Sequence, residues 1–153
     1  MTGKGVTWDR RSGRPRRTVR INAQGNRLTG TVVSWDVKRD LAILEVPDLT
    51  LPALPMSTAT ARGQWAMAAG APLGYRNSIS VGVISAVVPK ESTLSTDAVI
   101  GPGSSGGPLV NSRGEVVGII AAVWEDAQGI SLATQVGALC MKVLECEDRV
   151  GAG

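Results

Sequence analysis

The sequence predicts an all-β fold. Short apolar runs rich in Val, Ile, Leu and Ala are repeatedly cut by turn residues. Glycine occurs 19 times and proline 8 times in 153 residues, with only 19% charged residues, a balance that suits short strands and many turns. Helical spacing of apolar residues occurs in a single segment, Val136–Cys146, where Val136, Leu139, Val143 and Leu144 or Cys146 share one side. The core must be mainly aliphatic, since the chain has four Trp, one Tyr and no Phe. Such a pattern predicts a sandwich or a pair of barrels followed by one short helix.

Taken in order, residues 1–17 are polar and arginine-rich and are expected to form a basic loop or tail. Within the first twenty residues Lys4, Arg10, Arg11, Arg14, Arg16, Arg17 and Arg20 face only Asp9, but no aromatic-interleaved recognition pattern accompanies them, and no nucleic-acid partner is expected. Thr18–Asn22 and Arg27–Trp35 are strands joined by the hairpin signature Ala23-Gln24-Gly25-Asn26. Leu41–Val46 is a continuous apolar run, as a buried strand requires. These elements, residues 18–50, form a partial first lobe. Prolines between Pro47 and Pro55 mark an extended connector, placed at residues 51–62.

A second lobe, residues 63–135, begins with the strand Gln64–Ala69. Ser78–Val88 follows, with Gly82 at a bulge or a close approach of backbones. Pro108–Val110 and Val116–Val123 flank the turn Asn111-Ser112-Arg113-Gly114, and Gly129–Ala133 is the last strand before the helical segment at 136–150. Cys140 and Cys146, six residues apart on a helix, are separated by ~9 Å of rise, too far to be bridged. With no histidine in the chain, they also make no zinc site, and no metal or cofactor is implied. No apolar run reaches the ~18 residues of a membrane span, and the N-terminus has no apolar segment like that of a signal peptide. Compartment is not determined by these features.

The stretch that carries chemistry is Gly101-Pro102-Gly103-Ser104-Ser105-Gly106-Gly107-Pro108-Leu109. A flexible linker would not run directly into a buried strand, and a phosphate-binding loop would end in Lys-Ser/Thr and open a helix. Gly103-Ser104-Ser105-Gly106-Gly107 also fits the spelling G-x-S-x-G, but that motif likewise opens a helix, which Pro108 and the strand residues after it oppose. The remaining reading is a nucleophile loop for acyl transfer: Ser105 presents its hydroxyl, and the amides of Gly103 and Ser105 converge on a developing oxyanion.

The run from Ser95 to Val110, with Thr96-Asp97-Ala98 ahead of Gly103-Ser104-Ser105-Gly106-Gly107-Pro108-Leu109, resembles the nucleophile region of trypsin-like serine proteases, in particular their HtrA/Deg-like branch. Gly63-Gln64-Trp65, Ala69-Gly70-Ala71-Pro72-Leu73-Gly74 and Ser80-Val81-Gly82-Val83-Ile84-Ser85 resemble upstream segments of that branch in the same order. Asp40-Leu41-Ala42-Ile43-Leu44 resembles the segment that holds the triad acid; Asp36 is nearby but does not lead into the buried strand. Residues 18–146 are covered. The resemblance implies a trypsin-like double β-barrel with an incomplete first barrel, and hydrolysis of polypeptide substrates through an acyl-enzyme on Ser105, with Asp40 orienting an imidazole.

It also implies an apolar specificity pocket at Val99, Ile100, Ile120 and Ala121, with Ile119–Ala122 pairing with the substrate backbone. Ser104 and Gly101 stand where that branch usually has asparagine. The largest departure is the general base: without histidine a Ser-His-Asp triad cannot be assembled, and serine is a poor nucleophile without a neighbouring base. Lys38, Lys90 and Lys142 lie in no recognisable Ser-Lys context. Two explanations remain open, a truncated protease and a pseudoprotease retained as a peptide-binding barrel.

Overall fold

The structure, a computed structural model, describes residues 18–23, 25–75, 77–123 and 129–142. Its strands form a three-stranded sheet and a closed six-stranded barrel. The basic segment 1–17 and the second half of the predicted terminal helix, with Cys146, lie outside the described residues.

The sheet is an antiparallel meander of β1 (Thr18–Ala23), β2 (Asn26–Asp36) and β3 (Leu41–Glu45). The first hairpin is tighter than the sequence suggests. Ala23 pairs directly with Asn26, and Gly25 takes a φ of +81° that a side chain would resist.

The barrel comprises β4 (Trp65–Gly70), β5 (Ser78–Val88), β6 (Thr93–Thr96), β7 (Pro108–Val110), β8 (Val116–Val123) and β9 (Ser131–Gln135), in the spatial order β4-β5-β6-β9-β8-β7. Strand β6 is an addition to the sequence reading. It has four residues and lies beside a turn of Pro89–Glu91, yet it pairs with both β5 and β9 and thereby closes the barrel. The last strand runs to Gln135 rather than stopping at Ala133, because Gln135 N–H finds the Ser92 carbonyl at 2.7 Å. Helix α1 is Gly137–Lys142.

Alternation along the strands sorts side chains to two cores. Ala66, Ala68, Ile84, Leu94, Leu109, Val117, Ile120 and Ala133 fill the barrel; small and branched residues suit so narrow an interior. Val110, Val116 and Val136 form a second cluster with Met67, Ile119 and Leu139, between the outer barrel wall and the start of α1. Gly82 stands where a Cβ would collide with Asp97 Oδ1 and the Ala98 backbone, so it is a close-approach glycine.

The connector is tied to the barrel rather than free. Val116 N–H donates to Pro55 O at 2.8 Å, Ser57 N–H to Val116 O at 3.0 Å, and Gly63 N–H to Ile84 O at 2.8 Å.

The β7–β8 turn rests on Asn111, 1% exposed. Its Oδ1 accepts from the amides of Arg113 (2.9 Å) and Glu115 (3.1 Å), while its Nδ2 donates to Glu115 Oε2 at 2.7 Å. The Arg113 guanidinium first, and the Asn111 amide second, hold the Glu115 carboxyl below its ordinary value. Replacing Asn111→Ala removes a buried amide group and the acceptor of two turn N–H groups. The expected result in urea unfolding is a loss of about 2–3 kcal/mol with an unchanged m-value.

Candidate active site

The segment leading to the loop is fastened by side chains before it turns. Asp97 Oδ1 accepts from Val83 N–H at 2.7 Å, Thr96 Oγ1 donates to Val83 O at 2.8 Å, Ser131 Oγ to Ala98 O at 2.9 Å, and Ser80 Oγ to Val99 O at 2.6 Å. Residues 96–99 are thus held to β5 and β9.

The loop itself is held by backbone bonds: Ser104 N–H to Gly101 O (3.0 Å), Gly107 N–H to Ser104 O (3.0 Å), Gly106 N–H to Ile120 O (2.8 Å) and Ile120 N–H to Gly107 O (2.9 Å). It runs directly into β7 and not into a helix, so the elbow reading does not apply.

Opposite the loop lies the segment 69–73, and glycines make the contact. A Cβ on Gly103 would meet Ala71 O at 2.6 Å, one on Gly70 would meet Ser104 Cβ at 2.7 Å, and one on Gly107 would strike Ala69 O. Gly103 has φ +101°. Leu73 N–H donates to Pro102 O at 2.9 Å, which turns that carbonyl toward residue 73. Among the described residues the amides of Gly103 and Ser105 make no hydrogen bond.

Ser105 is exposed, and its Oγ donates to Ala121 O at 3.0 Å. That carbonyl is available because of a bulge. Ile120 pairs with Ala133 and Ala122 with Leu132, so Ala121 is an extra residue whose backbone leaves the ladder.

The four residues expected around a specificity pocket separate. Val99, 81% exposed, and Ile120 line a cleft of about 200 Å³ beside the loop. Ile100 packs in the barrel core, and Ala121 meets Ser105 through its carbonyl.

Asp40 occupies the β2–β3 turn with φ +52° and is exposed. No hydrogen bond joins it to Ser105 among the described residues. Its neighbour Arg39 docks the turn on the barrel: Thr134 Oγ1 donates to Arg39 O at 2.9 Å, and Arg39 Nε to Ser92 Oγ at 3.4 Å. Thr134 pairs with Ile119, next to the residue that holds Gly106. The Asp40 turn and the loop are therefore fixed to the same strand pair.

Asp36 has another task. It accepts from Lys38 N–H, Arg39 N–H and Arg39 Nη1, the last at 2.7 Å. The hydrogen bond from the Arg39 side chain is the main reason its carboxyl is held below the ordinary value.

The roles of Arg39, the Leu73 amide and the Ala121 carbonyl are not visible in the sequence, because each depends on a backbone direction. Only Ala71-Pro72-Leu73-Gly74 carries a signal, a turn following a strand.

The geometry defines a β-barrel with an exposed serine on a glycine-rich loop, the arrangement of a serine peptidase. Residues 5–119 match the family model for the trypsin-like peptidase domain, and the chain belongs to that family. HhoB of Synechocystis sp., named as a serine protease, is 39% identical over 132 residues, which are 78% of this chain and 32% of that protein. A periplasmic serine endoprotease of DegP-like name from Chlamydia trachomatis is 38% identical over 114 residues, 69% of this chain and 23% of its own length. The HtrA-type protease AlgW, solved with a decapeptide, superposes with a TM-score of 0.74 at 28% identity, covering 84% of this chain and 43% of that one. The chain is thus of the HtrA/DegP type and spans a quarter to a third of the length of these two curated relatives.

Two outcomes follow from the site geometry. Gly103→Ala combines an unfavourable φ with a clash against Ala71 O and is expected to lower stability by at least about 1–3 kcal/mol in urea unfolding. For Asp36, the depressed folded-state pKa means its contribution is complete above the unfolded value and lost as pH falls through the folded one. Asp36→Asn is therefore less stable than the wild type at pH 7, by about 1 kcal/mol, and the gap closes as unfolding is followed down to about pH 2.

Proposed function

We propose that this chain is the nucleophile-bearing part of an HtrA-type endopeptidase acting on polypeptides, with Ser105 as nucleophile and the Gly103 and Ser105 amides as oxyanion hole. Asp40 orients an imidazole that these 153 residues do not contain. Residues 18–50 are a partial first lobe, 51–62 the connector and 63–135 the lobe that carries the serine.

The observation that carries this reading is the loop: an exposed Ser105 flanked by two amides free of hydrogen bonds among the described residues, on a bend kept narrow by glycine. In acyl transfer, the Ser105 oxygen would add to a substrate carbonyl while its proton passes to a base. The two amides would then stabilise the oxyanion as it forms, without having to reorganise.

Substrate would lie along β8. Pairing of β8 with β7 stops at Ile119 opposite Pro108, so the strand beyond Ile120 has an open side where an extended peptide adds main-chain hydrogen bonds. A peptide ligand is also what the AlgW structure holds. Of the four residues expected there, Val99 and Ile120 would supply an apolar wall without charge beside the loop, which favours small aliphatic side chains over Lys or Arg.

With no imidazole in the chain, the proton has no acceptor of suitable strength, and Ser105 donates to Ala121 O instead. Turnover of peptides by these residues alone is expected to be at most the ~10³–10⁴-fold over water that oxyanion stabilisation and binding leave. This lack of histidine favours a second reading, a non-catalytic barrel that binds peptides.

A fluorophosphonate probe separates the two. The enzyme reading expects slow labelling that disappears in Ser105→Ala. No labelling, or labelling indifferent to that substitution, overturns it in favour of the binding barrel.

A further inference from the structure

The three-stranded sheet ends on β1, whose outer side has no strand beside it among the described residues. Hairpin geometry decides which backbone groups lie there. Ala23 and Asn26 close a two-residue loop as a hydrogen-bonded pair, and such pairs alternate back along the two strands. Val19, Ile21 and Ala23 therefore turn their amides to β2, while the N–H and C=O groups of Thr18, Arg20 and Asn22 point away from the sheet. The β1–β2 register runs without a shift, and β1 contains no proline. Neither the bulge nor the proline that commonly blunts an open edge is present.

The two faces beside this edge differ. On one, Thr18, Arg20 and Asn22 are exposed and pair with Thr31, Thr29 and Arg27, which are exposed as well. Neither Arg20 nor Arg27 is in a salt bridge among the described residues; Glu45 lies opposite Thr31 on the far strand β3. Six basic residues also precede β1 in sequence, with Asp9 as the single acid among them.

On the other face, Val19 and Ile21 are only partly buried. Ile21, Leu44 and Val46 gather over Gly30, where an added Cβ would meet them at 2.8–3.3 Å. No residue of this sheet belongs to either buried cluster of the described residues. The result is an apolar shelf that stops at β1.

These features specify the occupant. A row of outward N–H and C=O groups is matched by another extended polypeptide, and not by a phosphate backbone or a lipid headgroup. Side chains of an added strand fall alternately beside Val19 and Ile21 and beside Arg20, so apolar residues must alternate with acidic ones. A second copy of this chain is a poor match. Two β1 strands side by side would bring two basic surfaces together and supply an acid to neither.

We propose that the free edge of β1 is a docking site for an extended polypeptide segment of alternating apolar and acidic residues. The segment adds as a further strand, with its apolar side chains on the Val19–Ile21 face and its carboxylates beside Arg20. This edge belongs to a different sheet from β8, and its role does not depend on Ser105 being a nucleophile.

The test is a titration of the full chain with acetyl-Glu-Val-Glu-Val-Glu-Val-Glu-amide, followed by amide chemical shifts and hydrogen exchange. One control replaces glutamate by lysine throughout. A second is the same acidic peptide fully N-methylated, which keeps its charges and removes every main-chain donor. Saturable shifts are expected at Thr18, Arg20 and Asn22, with exchange of those amides slowed at least tenfold and little change at Val19 and Ile21. The dissociation constant should be on the order of 10⁻⁴ M. Arg20→Glu, at an exposed position, should weaken the acidic peptide about tenfold and allow the lysine peptide to bind; Ser105→Ala should alter neither.

Absence of saturable shifts, equal binding of the N-methylated peptide, or insensitivity to Arg20→Glu overturns the site. Shifts confined to Ala121–Val123 place the peptide on β8 and overturn it too. An oligothymidylate that protects the same three amides more tightly than the peptide does overturns it in favour of a nucleic acid. Protection already present without peptide also overturns it: a second copy covers the edge if that protection rises with protein concentration, and the chain itself covers it if not.

Discussion

The site depends on a contact made almost without side chains. Residues 101–107 lie against residues 69–73 so closely that three separate Cβ atoms, on Gly70, Gly103 and Gly107, would each collide with the opposite segment. Glycine costs conformational entropy on folding, and this loop accumulates that cost in order to bring two backbones together. The result is a pair of amides whose direction is set by packing and not by a flexible side chain, which is the condition for stabilising charge without reorganisation. Leu73 N–H on Pro102 O completes the arrangement from the far side.

The barrel supplies the rigidity this contact needs. Its interior is filled by Ala, Val, Leu and Ile, and four register irregularities adjust its strands and those of the small sheet. The bulge at Ala121 lies beside the loop, and the residue that leaves the ladder offers its carbonyl to Ser105. The same bulge lies where β8 has lost its β7 neighbour, so one local irregularity shapes both the serine's resting partner and the strand on which a peptide would lie.

Much of this was readable from residues 95–110. The glycines, the two serines and the proline entering an apolar strand specify a tight strand-to-strand bend, and the order of the upstream segments specifies the branch of the family. Strand β6 was not legible, since Thr93–Thr96 carries only one apolar residue and follows a proline turn; closure of the barrel, not local pattern, makes it a strand. The docking role of Arg39 was hidden for a related reason, as its carbonyl meets Thr134 across 95 positions of sequence. The scatter of Val99, Ile100, Ile120 and Ala121 shows that adjacency in sequence does not give a shared wall: the irregular segment after β6 turns Val99 outward and Ile100 into the core, and Ala121 leaves the ladder at the β8 bulge.

The turn at 36–40 has a mechanical consequence. It clasps itself through Asp36 and Arg39, and it reaches the barrel through Ser92 and Thr134. Under tension applied at residue 18, load would pass along β1, β2 and β3 and concentrate on these few bonds, whereas the closed barrel shares its load around a ring of strands. The meander should therefore peel away first, at low force, and leave the barrel intact as a separate rupture event.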